Sequence, residues 1–549
     1  MRDDVQEHGS RLSRRSFLAR AAGVAAGGAA LRDVAAAEGT ARDRRPHILW
    51  IMTDEHRWDT IRAFGRHSWV RSPSLDRLAA EGVLFREAYC QSPLCVASRL
   101  SMLTGRYPHH TGVYGFEVSH PDTPFAVPFF PERMHRGGYT VASFGKEHHY
   151  RLASKDQPFT GGGRWYNLLS AFPSRDFHSW GRLDIQEARP SELVKGKDRE
   201  KELGVLRRYL TAKQLILAGR NPVPADQTLT AHLTNQAIEY LRGEAPKDKP
   251  LLLRLSLIYP HTPVLPPEPF DGMYDPAAVP LPEFDERELG GFARQTQTAY
   301  ENLRVHGMKP AELRKMRAHY YGLATYVDTQ IGRMIEAFKA FCGARPWLIV
   351  FHPDHGTKLG EHGMHEKFTF YDESVHVPLI AASSDGRLPK GKVCGDFVEL
   401  VDIAPTFLAA AGVELPSHLA GRDLADTAGG RVAPRTEAIS EKLTYGRRAM
   451  LRTKRWSFEM QVGPEPVRGD RLRPEQMTWA ASQPLEKLDV SLFDRVNDPA
   501  ERHDLGRDPK HAGTCEELRR RLVARIFPED RVEHPWHKDV PKLPSANKK

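Results

Sequence analysis

The chain has 549 residues, 40% of them hydrophobic and 27% charged, with five cysteines and a formal net charge of +9. That length is several times a typical domain of about 150 residues, and a mean hydropathy of −0.52 excludes a membrane-embedded or disordered chain. Five cysteines exclude a disulfide scaffold. The 79 basic residues are dispersed among 70 acidic ones, and no recognition motif or basic stripe points to nucleic acid.

The first residues read as an address. Ser13-Arg14-Arg15-Ser16-Phe17-Leu18 is a twin-arginine signature, an apolar small-residue stretch follows to Leu31, and Ala35-Ala36-Ala37 supplies a cleavage site. The stretch is too short and too rich in Gly and Ala for stable membrane insertion. A signal peptide over 1–37, transient contact with the twin-arginine machinery and a periplasmic or secreted destination are expected. Cleavage after Ala37 removes six arginines and four acidic residues and lowers the net charge from +9 to +7.

Downstream, four short apolar runs read as buried strands. Ile48–Met52 ends at Thr53-Asp54-Glu55-His56, and Tyr139–Phe144 ends at Gly145-Lys146-Glu147-His148. Leu251–Ile258 ends at Pro260-His261-Thr262-Pro263, and Trp347–Phe351 ends near Asp354-His355-Gly356. Helically spaced apolar residues lie between them, at Leu229 to Leu241 and Tyr321 to Ile335. Strands alternating with helices predict an α/β fold with a mixed, mostly parallel sheet covered on both faces. In such sheets ligands bind at the carboxyl ends of the strands, so four ends bearing Asp, Lys, His and Asp-His predict one convergent site.

Phe397 to Thr406 is expected to open a helix running towards Gly412, and the Gly/Ala/Arg-rich stretch 425–435 to be a linker. Arg448–Arg452 and Trp456–Met460 alternate as antiparallel strands do, a helix is expected around Cys515 to Ile526, and a polar tail follows. The predicted organisation is the leader (1–37), an N-terminal catalytic α/β domain (38–424) and a smaller C-terminal α+β unit (436–549). The long segments 151–225 and 264–312 carry Trp165, Tyr166, Trp180, Arg182, Tyr274 and Tyr300, which either shape a substrate pocket or pack their own loops.

Cys95 follows a Pro-containing loop and precedes an expected helix, Ser98 to Thr104, closed by Gly105. A thiolate there would gain from the helix dipole and from Arg99 one turn away; a buried structural cysteine fits the pattern equally well. The segment Cys95-Val96-Ala97-Ser98-Arg99 with Thr104-Gly105-Arg106 resembles the signature of the type I, formylglycine-dependent sulfatases of the alkaline phosphatase superfamily. Ala97 stands where that signature most often has Pro. The resemblance extends in order through Asp54, Lys146-x-His148, Pro260-His261-x-Pro263, Asp354-His355-Gly356, Glu361-His362-Gly363 with Lys367, Val401–Thr406 and Leu492-Phe493-Asp494 to Glu501. Two departures stand out: Asp54-Glu55 where many members have Asp-Asp, and Asp354-His355 where many have Asp-Asn.

The resemblance implies an alkaline-phosphatase-like fold and hydrolysis of a sulfate ester. Cys95 would be converted to formylglycine by a formylglycine-generating enzyme and become the nucleophile. Catalytic roles would fall to Cys95, Arg99, Lys146, His148, His261 and Lys367, with Lys146, His261 and Lys367 also binding substrate. One divalent metal would be held by Asp54, Asp354 and His355, with Glu55 and the modified Cys95. Calcium is the ion the resemblance implies; an imidazole ligand makes manganese a competitor. The substrate would be a sulfated glycan or a small sulfate ester such as choline sulfate. The Asp-His pair keeps open a phosphonate monoester or phosphodiester hydrolase, and an unconverted Cys95 would fit a protein that only binds sulfated glycans.

Overall fold

The computed structural model describes residues 45–111, 113–114, 129–146, 165–167, 193–210, 213–305, 307–444, 447–463 and 479–526. The expected leader and its cleavage site, His148, His149, Trp180, Arg182 and the tail after residue 526 lie outside the described residues, as do the side chains of Trp165 and Tyr166.

In chain order the strands are β1 (His47–Asp54), β2 (Val83–Tyr89), β3 (Thr140–Gly145) and β4 (Trp165–Asn167), then a ribbon of β5 (Leu206–Leu210) and β6 (Lys213–Ala218). There follow β7 (Leu251–Pro260), β8 (Trp347–Pro353), a two-residue ribbon of β9 (Lys358–Leu359) and β10 (His365–Glu366), β11 (Leu379–Ser383) and β12 (Lys392–Glu399). Last come β13 (Glu437–Lys442), β14 (Arg448–Thr453), β15 (Trp456–Gln461) and β16 (Ser491–Asp494). The large sheet has the order β12-β2-β11-β8-β1-β7-β3-β4. All its pairings are parallel except those of β11, which runs antiparallel to both β2 and β8.

The four apolar runs form the adjacent parallel block β8-β1-β7-β3. Their predominantly apolar character has a simple cause: both faces of the sheet are covered. Side chains alternate across a strand, so Ile48, Trp50 and Met52 enter one core with Phe130, Leu400 and Phe407, while Leu49 and Ile51 enter the other with Leu323, Val327 and Ile331. The second core is roofed by the helices Leu229–Gly243 and Pro310–Cys342.

The smaller antiparallel sheet, β13-β14-β15-β16, buries Ile439, Leu451, Phe458 and Leu492 against the helix Ala512–Ile526. That helix contributes Cys515, Leu518, Leu522 and Ile526, a spacing that keeps one helical stripe on the core. A mixed, mostly parallel sheet between helices with a smaller C-terminal α+β part is the architecture expected from the sequence.

Three boundaries differ from expectation. Phe397 to Glu399 are strand, since β12 pairs with β2 as far as Glu399 opposite Tyr89, and the α-helix starts only at Ile403. The stretch predicted as linker contains most of a short helix, Leu424–Gly429, whose first turn is capped by the Asp423 carboxylate accepting from the Ala425 N–H at 2.9 Å. The helix expected from Ser98 begins already at Cys95, with the Ser98 N–H bonded to the Leu94 carbonyl at 2.9 Å.

Candidate active site

Because β1, β3, β7 and β8 run parallel, their carboxyl ends lie along one edge of the sheet. Asp54 closes β1, Lys146 follows β3, His261 follows β7, and Asp354-His355 follow β8. Lys146 can leave its strand there because Gly145 precedes it. Gly145 has φ +103°, and a Cβ at that position would lie 2.0 Å from the Ser256 carbonyl oxygen, so the close approach that lets the Lys146 N–H bond that carbonyl at 2.8 Å requires glycine.

The helix Cys95–Thr104 brings two groups to this edge. Cys95 Sγ lies 3.1 Å from His355 Nε2, 3.4 Å from Lys367 Nζ, 3.7 Å from Asp54 Oδ1 and 3.9 Å from Lys146 Nζ. One turn on, Arg99 donates from Nε to Asp354 Oδ2 (2.8 Å) and from Nη2 to Asp54 Oδ2 (3.0 Å). Its Nη1 donates to the Lys146 carbonyl and to Ser256 Oγ, both at 3.0 Å. One guanidinium thus ties together the ends of β1, β3, β7 and β8. Lys146 also donates to Asp54 Oδ2.

Glu55 occupies a left-handed conformation (φ +58°), held by the Tyr320 hydroxyl, which donates to its carbonyl. Its carboxylate accepts from Lys367 and sits 3.2 Å from His261 Nε2. Lys367 Nζ is in turn 3.2 Å from His261 Nε2. Nine of the ten residues singled out in the sequence therefore meet at one place: Asp54, Glu55, Cys95, Arg99, Lys146, His261, Asp354, His355 and Lys367. The tenth, His148, lies outside the described residues. All nine except the partly exposed His261 are buried.

The field at this place favours negative charge at Sγ. Burial alone raises a thiol's pKa and Asp54 adds to that, yet Lys146, Lys367 and His355 bring Cys95 down to about 5. Burial likewise opposes ionisation of Glu55, but His261, Lys367 and His355 hold it at about 2. Asp54 is kept well below the usual carboxylate range against its own burial, chiefly by Lys146 and His261. The other cysteines contrast with Cys95: burial pushes the Cys342 thiol up to about 12 and Cys515 to about 11.

The donor set suits a divalent cation. One oxygen each of Asp54 and Asp354, a ring nitrogen of His355 and the sulfur of Cys95 all lie within 4.8 Å of one another, the spacing expected of ligands that share an ion. His355 Nδ1 faces the Gly356 carbonyl at 2.9 Å, so its N–H can be fixed there while Nε2 points inward as a ligand. Glu55 belongs to a second set with Asp54 and His261.

Several supporting residues were not singled out in the sequence. Ser256, which receives Arg99, had a readable signal: Arg254 and Ser256 are polar at alternate positions of an otherwise apolar strand. Tyr320 had none, since its spacing is that of an ordinary core residue. Tyr274 and Tyr300 are packed against neighbouring elements: the Tyr274 hydroxyl lies 2.7 Å from Thr325 Oγ1, and Tyr300 sits among Phe292, Met364 and Phe493. His362 stacks on Tyr371 with centroids 3.5 Å apart, a loop role.

Comparison with known proteins places this geometry. The family model for sulfatases matches residues 46–413. The arylsulfatase of Clostridium perfringens is 28% identical over 402 residues, covering 70% of this chain and 78% of its own. Iduronate 2-sulfatase of Homo sapiens is 28% identical over 409 residues, covering 67% of this chain and 70% of its own. Among solved structures, the phosphonate monoester hydrolase of Agrobacterium radiobacter superposes with a TM-score of 0.68 at 22% identity, over 87% of this chain and 95% of its own. That likeness bears on the fold, and the fold is alkaline-phosphatase-like.

Proposed function

The chain belongs to the sulfatase family of the alkaline phosphatase superfamily and is a sulfuric ester hydrolase; from that premise we propose that it is an exported enzyme acting on a sulfate ester of a sulfated carbohydrate. The observation that carries the chemistry of this reading is the buried point at Cys95 Sγ, on which Lys367 and Lys146 converge from 3.4 and 3.9 Å with the Asp54, Asp354 and His355 donors beside them.

Sulfate ester cleavage needs a nucleophile, neutralisation of charge on the sulfuryl oxygens and a proton for the departing alkoxide. A thiolate attacking sulfur would leave a stable adduct. Formylglycine made from Cys95 would instead supply a hydrated aldehyde as nucleophile, from which sulfate can leave, so that one hard step would become two easier ones. Lys146 and Lys367 neutralise the charge developing on the sulfuryl oxygens, the electrostatic contribution that usually dominates. Arg99 locks Asp54 and Asp354 in register and stands one helical turn behind the nucleophile. His261, the partly exposed member, is the acid towards the leaving group, and His148 is the base for sulfate release.

A divalent ion held by Asp54, Asp354 and His355 would polarise the sulfate and favour the ionised nucleophile. Calcium is the ion we assign, with manganese the competitor because a ring nitrogen is a poor calcium ligand. The modified Cys95 and Glu55 are the remaining candidate ligands, and ligating would cost Glu55 its ion pair with Lys367. Export through the twin-arginine pathway after cleavage at Ala37, and the division into 38–424 and 436–549, belong to the same proposal. The human relative, named for a sugar acid, supports a carbohydrate substrate.

The test is a sulfate-release screen over sulfated glycans and small esters, choline sulfate included, run beside phosphonate monoesters. Release of sulfate from glycans is the expected result. Phosphonate turnover exceeding it by orders of magnitude would overturn the substrate and favour the second reading, which rests on the Asp354-His355 donors. The mass of the Cys95 peptide from a native aerobic host separates aldehyde from thiol, and an unmodified thiol would remove the nucleophile from the scheme.

A further inference from the structure

The turn that carries Lys367 is held from behind by buried cations that take no part in the site itself. Glu366 and Phe368, on either side of Lys367, both have left-handed φ, +67° and +75°. Residues with side chains adopt such conformations only where their surroundings over-determine them, and they cluster at functional sites. Here the surroundings are three cations bonded to the carbonyls of one short stretch. Lys358 Nζ donates to the Lys367 carbonyl at 3.0 Å and to Thr369 Oγ1 at 2.8 Å. Lys442 Nζ donates to the Phe368 carbonyl at 2.9 Å, and Arg452 Nη2 to the Phe370 carbonyl at 2.8 Å.

The origin of these cations matters. Lys358 comes from β9, beside the turn, but Lys442 ends β13 and Arg452 lies on β14, both in the smaller sheet. Arg452 has carboxylate partners, Asp372 and Glu501. Lys358, among the described residues, donates only to neutral oxygens: the carbonyl and the hydroxyls of Thr369 and Ser374. Burying the Lys358 ammonium on neutral acceptors is costly, and burial brings it down to about 7. Such a cost is unusual for a mere packing contact. It is spent on the one turn whose side chain reaches 3.4 Å from Cys95 Sγ.

We propose that Lys358 and Lys442 are positioning residues for the hydrolysis: by fixing the carbonyls of residues 367 and 368 they aim the Lys367 ammonium at the nucleophile, and through Lys442 the smaller sheet completes the active site. The proposal rests on the reading that Lys367 acts on the sulfuryl oxygens. A mis-aimed Lys367 loses stabilisation of charge that develops in the transition state, so the loss falls mainly in kcat.

The experiment uses the full mature chain, its fraction of converted Cys95 measured by mass, with para-nitrophenyl sulfate as probe. Lys442→Met removes the donor; Lys442→Gln keeps a neutral N–H donor of similar reach; Lys358→Met and Lys358→Gln repeat the pair. Leu492→Ala, in the core of the smaller sheet, controls for loss of stability, and Lys367→Met tests the underlying reading. The methionine variants are expected to lose ~10- to 100-fold in kcat per converted enzyme, the range for removal of an outer partner. The glutamine variants should recover most of it, and Leu492→Ala should lower Tm while keeping kcat. Methionine variants with wild-type kcat, or glutamine variants no better than methionine ones, would overturn the positioning role while leaving Lys367 in place. Full activity in Lys367→Met would overturn the role of Lys367, and the clamp with it.

Discussion

Two regions of this molecule bury dense clusters of charge, and only one of them has the shape of a reaction centre. At the carboxyl ends of β1, β3, β7 and β8, three carboxylates and three cations surround a sulfur atom on which lysine, histidine and aspartate groups converge within 3.1–3.9 Å. At the seam between the two sheets, Arg452 pairs with Asp372 (2.9 Å) and Glu501 (3.0 Å), and Asp372 pairs with His376 (3.1 Å). Arg495 there donates to the Tyr89 hydroxyl at 2.9 Å. The seam charges are turned on one another. The site charges are also paired, but they keep a common focus on one atom at the start of a helix. Buried ion pairs are weak evidence for anything by themselves; convergence on a nucleophile is what separates chemistry from architecture.

The comparison breaks most sharply at Cys95. Cys95→Ala is expected to lower the rate of sulfate ester hydrolysis by ~10⁴-fold or more, as loss of a nucleophile does elsewhere, with the thermal midpoint little changed. Steady-state rates together with a melting curve check this. An active variant would mean that the focus of the charges is not the reacting atom.

The seam should respond in the opposite sense. Asp372→Asn leaves Arg452 and His376 facing a neutral group, and breaking a buried pair from one side costs about 3–5 kcal/mol of stability. The folded fraction should keep its kcat, since Arg452 still donates to the Phe370 carbonyl. Denaturant unfolding and rates corrected for folded fraction distinguish the two effects. A large loss of kcat at unchanged stability would make the seam part of the site.

The same contrast explains what could be read from the residues. β1, β3, β7 and β8 are legible because both of their faces are buried, so apolar residues predominate along them even where a buried Arg254 or Ser256 intervenes. β2 was not, because Arg86 and Glu87 interrupt Val-Leu-Phe-Arg-Glu-Ala-Tyr where the strand comes partly into solvent. β11 and β12 carry no distinct strand signal either, and the end of β12 reads as the start of a helix. The apolar residues from Phe397 to Ile403 suit either state, and it is pairing with β2, some 300 residues upstream, that decides. Asp54, Lys146, His261 and Asp354-His355 are legible because each stands at the end of an apolar run, whereas the roles of Cys95, Arg99 and Lys367 follow from the family resemblance. The supports of the site are not legible. Lys442 meets a carbonyl 74 residues away and Ser256 a guanidinium 157 residues away, contacts with no local signature in either partner.

The finest test of the comparison lies within β13, where neighbouring residues point to opposite faces of one strand. Glu441 Oε1 is 2.5 Å from His109 Nδ1; burial pushes its carboxyl up from 4.5 to about 8, with Arg447 and the His109 N–H opposing. Lys442, on the other face, is brought down from 10.5 to about 8, first by burial, with Arg448 adding and Glu459 opposing. Folded Glu441 keeps a proton that the unfolded chain releases above pH 4.5, so its contribution to stability declines as pH rises through about 8. Folded Lys442 releases at about pH 8 a proton that the unfolded chain keeps to 10.5, so its contribution rises across that interval. Glu441→Gln should therefore flatten the decline of Tm between pH 4.5 and 8, and Lys442→Met the rise between pH 8 and 10.5, each by a few °C for a chain of this size and Glu441→Gln by the larger amount. A Glu441→Gln curve parallel to the parent's below pH 8 would show that Glu441 is ionised in the fold, and that this strand carries its charges as the seam does.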